Sequence, residues 1–431
     1  MSWSEVPLNK VADLESGFGF PREQQGDSNQ EFPFFRVSDM NLDGNEVFMS
    51  NYTNTVSRET LGRLHARAFP AGTVIFPKIG AAIATGKKRV LTKPATFDNN
   101  VMGAVPRSCV EPKFLYYWFL RLNLSDCAND SHVPSIRKSV MEKISFELPP
   151  PTEQRRIVEI LDQADSLRKL RREADAKAAR ILPALFLKMF GDPATNPMGW
   201  PVKPLSKAID HIEAGWSARS EMRERQPGEF GVLKVSAVTS GRFLPEEYKT
   251  VASVPSSQTL VTPKRGDLLF SRANTRELVA ATCLVDADYP YLFLPDKLWR
   301  LLPRKDIATT PYLRELMACE VVRDKFRAFS SGSSGSMLNV SQTAVLRTEV
   351  PLAPRDLQMT FERYTWEVLG LLRTIHQAHT RLETLRTTLL QRAFSSQLTA
   401  KWRMAHMQEL LTEMREQARL LGLPMPAAAA Q

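Results

Sequence analysis

The sequence predicts an α+β chain: two similar mixed α/β domains joined by two long antiparallel coiled-coil helices, with an internal pseudo-two-fold repeat. Three observations predict it. First, the two halves match at an offset of about 200 residues, the scale of one domain plus one connector. Trp3, Pro7, Leu8, Lys10 and Asp13 stand 197 residues before Trp200, Pro204, Leu205, Lys207 and Asp210. Gly17 pairs with Gly215, and Arg36-Val37-Ser38 with Lys234-Val235-Ser236. Gly72 and Phe76 pair with Gly266 and Phe270, Val105-Pro106 with Leu302-Pro303, and Glu147-Leu148-Pro149 with Glu349-Val350-Pro351. The offset drifts from 194 to 204 as loops gain or lose residues. Second, a long stretch with apolar residues at three- and four-residue steps follows each half. Third, 43% hydrophobic content over 431 residues gives each half material for a core.

Along the chain, residues 1–148 read as the first mixed domain. Phe34–Val37, Thr73–Phe76 and Arg89–Leu91 have strand composition, punctuated by Gly, Pro and Asn. Phe114–Leu122 is apolar without breakers and reads as a short helix, and Asn129–Pro134 as a polar loop. Residues 149–192 form the central helical spacer. Its proline-rich start leads to Thr152 as N-cap, with Glu153 in the first turn, where the helix dipole favours an acid. Ile157, Ile160, Ala164, Leu167, Ala174, Ala178, Ile181, Leu185 and Met189 mark its apolar stripe, and Pro183 is expected to kink or break it one turn before its end. Gly191-Asp192-Pro193 ends it.

Residues 193–350 repeat the first plan, with strands at Val232–Val235 and Asp267–Phe270, a helix over Pro311–Phe329 and a flexible loop over Ser330–Ser336. Residues 351–398 form the distal helical spacer. Phe361, Tyr364, Val368, Leu371, Ile375, Ala378, Leu382, Leu385 and Leu389 alternate steps of three and four, a coiled-coil seam over about four heptads. Two such rods in one chain pack most simply on each other, antiparallel. Residues 399–431 add a C-terminal helix, Ala400–Leu421, and a loose tail. Met404, Met407, Leu410, Leu411, Met414 and Leu421 line one side of that helix. Its partner is open: the rods, another copy or a second protein.

The formal net charge of +10 and pI near 9.4 favour a polyanionic partner. Cys109, Cys127, Cys283 and Cys319 lack zinc or C-x-x-C spacing, have mostly apolar neighbours and read as buried, reduced thiols. The polar start Met1–Glu5 has no signal-peptide pattern, and no apolar run approaches the ~18 residues a membrane span needs. The expectation is a soluble, cytoplasmic protein with no membrane contact.

Catalytic motifs are missing. Gly80–Lys88 looks like a phosphate loop, but five residues separate its glycines where four are needed, and Lys88 replaces the Mg²⁺-holding hydroxyl. Neither G-x-G-x-x-G, G-x-S-x-G nor an Asn-Pro-Pro-aromatic tetrapeptide is present. Pro295-Asp296-Lys297 lacks partners for a nuclease triad, and His376 and His379 lack a third metal ligand. The chain is expected to be non-catalytic, with no metal.

Leu148–Ile157 resembles the "LPP-x-x-EQ-x-x-I" start of the central helix in specificity subunits of type I restriction–modification enzymes. Leu185–Pro193 resembles the end of that helix, and Leu390–Leu398 the "QRAFSGEL" close of the distal one. Three departures stand out: the second lead-in, Val350–Asp356, lacks the Glu-Gln pair, Gly191-Asp192 ends the first rod where Ser395-Ser396 ends the second, and the Ala400–Leu421 helix lies beyond the usual end. The resemblance implies a non-catalytic subunit that binds double-stranded DNA. Residues 1–148 and 193–350 would be target-recognition domains, each reading one half of a bipartite, asymmetric target. The helices would fix the spacing and dock two methyltransferase subunits, with restriction subunits where the complex cleaves. S-adenosylmethionine would sit on the methyltransferase and no cofactor on this chain. A helix from Thr152 to Phe190 would be about 58 Å long, against ~34 Å per DNA turn. The rival reading is a coiled-coil scaffold without sequence-specific DNA binding.

Phosphate contacts need Lys, Arg and hydroxyl groups, and base contacts need Arg, Lys, Asn or Gln on reachable loops. After the paired strands ending at Phe76 and Phe270 lie Lys78, Lys87, Lys88 and Arg89 in one half, and Arg272, Asn274 and Arg276 in the other. Ser135, Arg137 and Lys138, with Ser336 and Asn339 opposite, are second in rank.

Overall fold

A computed structural model describes residues 3–330 and 337–424. They form two compact units, Met1–Leu170 with His379–Gln431, and Arg171–Ala378.

In the first unit, Ser4–Pro7 pairs antiparallel with Ser145–Leu148, closing the ends of the domain. The main sheet has the order Ala12–Ser16, Val101–Pro106, Val74–Pro77, Arg89–Leu91, Phe48–Met49. A smaller sheet has the order Thr55–Val56, Phe32–Phe35, Thr96–Phe97. The expected short helix spans Pro112–Arg121, capped by the Glu111 carboxylate, which accepts the Phe114 N–H. It buries Phe114, Trp118 and Phe119 against Phe76 and Phe146. Each such ring contributes about 1.5–3 kcal/mol on burial. Ile157 and Leu161 from the central helix, and Ala393 and Phe394 from the distal helix, complete this core.

The second unit repeats the plan. Val202–Pro204 pairs with Glu349–Pro351. The main sheet has the order Ile209–Ala214, Leu298–Pro303, Leu268–Ser271, Thr282–Leu284, and the smaller one Tyr248–Val251, Phe230–Leu233, Leu292–Phe293. The expected single helix over Pro311–Phe329 is two, Thr310–Ala318 and Glu320–Ala328, because Cys319 is extended between them (ψ 133°). The core gathers Phe270, Trp299, Tyr312 and Phe326 with Phe186, Phe190 and Phe361. The repeat extends to the helix ends. Phe394 meets Phe114 at 5.3 Å in the first unit, and Phe190 meets Tyr312 at 4.8 Å in the second.

The central helix spans Pro151–Ala178, and a separate helix spans Ile181–Phe190. Pro183 breaks the helix rather than merely kinking it, and the break falls at Ala179–Arg180, a few residues before the proline. Proline's ring collides with the carbonyl four residues back, here that of Ala179. The uninterrupted helix of 28 residues is therefore about 42 Å long, not 58 Å. Thr152 is not the N-cap. It lies inside the first turn, and its N–H donates to Glu413 Oε2 at 3.0 Å.

The distal helix runs unbroken over Arg355–Phe394. Its stripe is only partly as expected. Phe361, Val368, Ile375, Leu382 and Leu389 are buried or half-buried, but Tyr364, Leu371 and Leu385 are exposed. Thr365, Leu372, Arg386 and Ala393 take the intervening inner positions. Counting apolar residues misses this because the facing central helix supplies charge. Arg386 Nε donates to Asp165 Oδ1 at 2.6 Å, and Arg168 Nε to Glu383 Oε1 at 2.5 Å. On the central helix, Leu167 is likewise exposed while Leu161 is buried.

The second lead-in keeps half of the Glu-Gln pair. Gln154 accepts the Glu111 N–H and donates to the Cys109 and Pro149 carbonyls. Gln358 accepts the Thr309 N–H and donates to the Ile307 and Ala353 carbonyls. The glutamine performs the same task in both units, tying a domain loop to a helix start. Leu357 stands where the first unit has Glu153.

The C-terminal helix is two, Ala400–Ala405 and Met407–Leu421, parted at His406. Its partner is the first unit itself. Leu410, Met414, Gln417 and Ala418 are buried, and Gln417 donates to the Pro149 carbonyl at 3.1 Å. Met404 is exposed, contrary to the expected stripe.

Candidate nucleic-acid interface

In the first unit, four segments meet beyond the C-terminal end of Val74–Pro77. Gly17 follows Ala12–Ser16, two strands along the same sheet, and a Cβ there would lie 2.0 Å from the Asp98 carbonyl oxygen. Only glycine permits that approach. The Lys78 N–H donates to Asn100 O at 2.8 Å, its carbonyl accepts the Ile136 N–H at 2.9 Å, and Ile79 bridges Ser135. The first-rank and second-rank segments thus adjoin. Lys78 Nζ reaches Ser16 Oγ at 2.8 Å. Burial holds its ammonium below the ordinary lysine range, opposed by the charge of Asp98. Asn129 Oδ1 accepts the Ser135 N–H at 2.8 Å and shapes the loop. Arg137 and Lys138 are exposed beside it, at the start of Lys138–Met141.

Lys87, Lys88 and Arg89 serve the fold. Lys87 bonds to Asn41 Oδ1. Lys88 is 4% exposed and donates to Leu122 O at 2.7 Å, and burial pushes its pKa down to about 8. Arg89 donates to the Lys88 and Met40 carbonyls, and burial holds its pKa below the usual value. For Lys88 and Arg89 the DNA-contact expectation is corrected. They face backbone carbonyls that adjacent elements leave open, a demand invisible in sequence. The phosphate-loop lookalike has a similar fate: the Gly80 N–H is donated to Pro134 O at 2.7 Å.

In the second unit the equivalent place is built the same way. Gly215 lies against Leu294, where a Cβ would be 2.0 Å from the carbonyl oxygen. The Arg272 N–H donates to Lys297 O at 3.0 Å, and its carbonyl accepts the Val340 N–H at 2.9 Å. Ala273–Asn274 pairs antiparallel with Leu338–Asn339, Ala273 opposite Asn339. This matches the Ile79–Ser135 bridge at offsets of 194 and 204, the two extremes of the sequence repeat. The Arg272 guanidinium lies 5.6 Å from the Trp299 ring centroid. Asn274 Oδ1 accepts the Thr275 N–H at 2.8 Å, and Arg276 is exposed. Ser336 lies outside the described residues.

Sequence reasoning missed Ser16, Asn100, Asn129, Lys297 and Trp299. The Gly17/Gly215 pair marked the loop beside them, and Trp299 stands 197 residues after Met102, at an offset the repeat already displayed. Among the described residues, no group of three or more His, Cys, Asp or Glu side chains could hold a metal ion, and no helix is long and apolar enough to cross a membrane.

A family model for the type I restriction modification DNA specificity domain matches residues 1–177. The EcoEI specificity subunit of Escherichia coli is 29% identical over 169 residues, covering 39% of this chain and 28% of the relative. The EcoKI specificity subunit of Escherichia coli K12 is 24% identical over 301 residues, covering 66% of this chain and 64% of the relative. The chain thus spans less than two thirds of the length of either relative. Among solved structures, a chain from work on complex assembly and conformational transition of the type I R-M system superposes with a TM-score of 0.51. The superposition covers 91% of this chain and 97% of the other at 17% identity, a likeness of fold. Residues 1–177 are therefore similar to type I restriction modification DNA specificity domains.

Proposed function

We propose that this chain is the DNA-recognition subunit of a type I restriction–modification complex. Each unit reads one half of a bipartite, asymmetric double-stranded target. The paired helices act as an antiparallel coiled-coil spacer and dock two methyltransferase subunits, with restriction subunits where the complex cleaves. The methyltransferase brings S-adenosylmethionine, and this chain contributes recognition without catalysis. The observation that carries the reading is the duplicated loop pair. Lys78 with Ser135 in one unit, and Arg272 with Asn339 in the other, stand at the same place in the same sheet plan but differ in chemistry. Arg137, Lys138, Asn274 and Arg276 extend these patches.

The scaffold reading drew its support from the rods and the extra C-terminal helix, and leaves the two similar basic halves unexplained. That helix buries Leu410 and Met414 within its own unit. The test is co-expression of the chain with the methyltransferase encoded beside it, followed by mapping of methylated bases in host DNA. A split, asymmetric motif that depends on this chain is the expected result. No new methylation and no complex would overturn the reading.

A further inference from the structure

Many arginines and lysines near the candidate interface are already committed. Arg300 is tied to Asp267 and Glu213, Arg323 to the Glu277 and Val279 carbonyls, and Lys88 and Arg89 to carbonyls of their own unit. Arg272 differs. Its backbone is fixed on both sides, by Lys297 O and the Val340 N–H. Its guanidinium makes no hydrogen bond among the described residues, and its buried Nε is unpartnered. Its side chain nevertheless has a fixed support. Trp299, 2% exposed, stacks on Phe270 at 5.8 Å and 13°, and carries the Arg272 guanidinium at 5.6 Å. A planar cation over an aromatic face keeps its in-plane N–H edge free.

The first unit answers with different residues. Phe76 faces Met102 across the sheet as Phe270 faces Trp299. Two residues on stands Lys78 where the second unit has Arg272. Lysine is a point charge without a planar fork, and Met102 offers no aromatic face.

We infer that Arg272, positioned by Trp299, reads a guanine in the second half-site, while Lys78 makes a single-point contact in the first. The chemistry is that of a rigid two-donor fork, which matches the O6 and N7 acceptors on the major-groove edge of guanine. This inference rests on the proposed recognition function.

The test is selection from a randomised duplex library by the full chain in complex with its methyltransferase, comparing wild type, Arg272→Lys, Trp299→Phe and Lys78→Arg. Arg272→Lys is expected to lower the preference for G·C at one position of one half-site by roughly 10- to 100-fold. Trp299→Phe keeps a weaker ring and should relax the same position by a smaller factor. Lys78→Arg should leave that half-site unchanged. A purely structural role for Trp299 would instead weaken binding to all sequences equally, and would overturn its positioning role. A split motif in wild type that Arg272→Lys leaves intact, or relaxes at an A·T position, overturns the inference alone. No motif in wild type overturns it together with the recognition function.

Discussion

Glu153 and Arg403, 250 residues apart in sequence, form a salt bridge of 2.7 Å with both side chains out of solvent. The same carboxylate accepts the Trp3 indole N–H at 2.9 Å and the Thr399 hydroxyl at 2.5 Å. One acid thus joins the N-terminus, the start of the central helix and the C-terminal segment. Removing one partner of a buried pair leaves a charge without compensation, at about 3–5 kcal/mol, whereas replacing both by apolar groups is often neutral. Glu153→Leu, which copies Leu357 of the second unit, should destabilise the first unit by that amount. Adding Arg403→Met should recover most of it. Urea unfolding of the two single variants and the double variant measures the coupling, and a double variant as unstable as the sum of the singles would refute it.

Glu413 supplies the cap that the central helix lacks locally, through the Thr152 N–H and hydroxyl. Glu413→Ala should cost about 1 kcal/mol. Hydrogen exchange should quicken at residues 152–155 before the rest of the helix. Equal protection in the variant would show that the cap is dispensable.

Lys88 makes stability depend on pH. Its folded-state pKa of about 8 lies below the ordinary value of 10.5. Between these values the unfolded chain holds more protons than the folded one, so this group's contribution to stability rises with pH across the window. Below pH 8 both states carry the proton and the dependence vanishes. Unfolding free energies measured from pH 7 to 10 should rise more in wild type than in Lys88→Met. Parallel curves would rule this out.

Gly17→Ala and Gly215→Ala should each disable one half of the interface. The added methyl meets a carbonyl oxygen at 2.0 Å in both cases, and the backbone behind Lys78 or Arg272 must shift. Gly62→Ala is the control, since a Cβ there meets nothing within 4 Å. Selection on randomised duplexes should show loss of one half-motif for each interface variant and none for the control.

If Lys78, Arg137, Lys138 and Arg272 lie on phosphates or bases, binding must release counterions. The logarithm of affinity should fall steeply with the logarithm of salt, with a slope near −0.9 per phosphate neutralised. Each Lys or Arg changed to Ala at a phosphate should reduce the slope by about 1. A flat salt response would remove phosphates from the interface.

The sequence by itself determined the plan of each unit. The paired residues Trp3/Trp200, Gly17/Gly215 and Phe76/Phe270 mark matching places in two sheets of similar order, because the same local pattern folds the same way twice. It also picked out segments that the fold brings together, since those following Phe76 and Phe270 are bridged to those around Ser135 and Asn339. Most of the distal helix stripe was legible too, from Phe361 to Leu389, with Tyr364, Leu371 and Leu385 the exceptions.

The tertiary structure alone decided which cations are free. Lys87, Lys88 and Arg89 read as a basic loop, but Lys88 and Arg89 answer backbone carbonyls at Leu122 and Met40 that come from distant segments. It also decided the other inner positions of the helices, because Arg386 and Arg168 are drawn inward by acids on the facing helix. Finally, it decided the fate of the C-terminal helix, whose docking depends on a buried acid at Glu153 that composition reads only as a good first-turn residue. Local pattern reports periodicity and backbone preference. Which charge meets which, across 250 residues of chain, is fixed only when the fold brings them together.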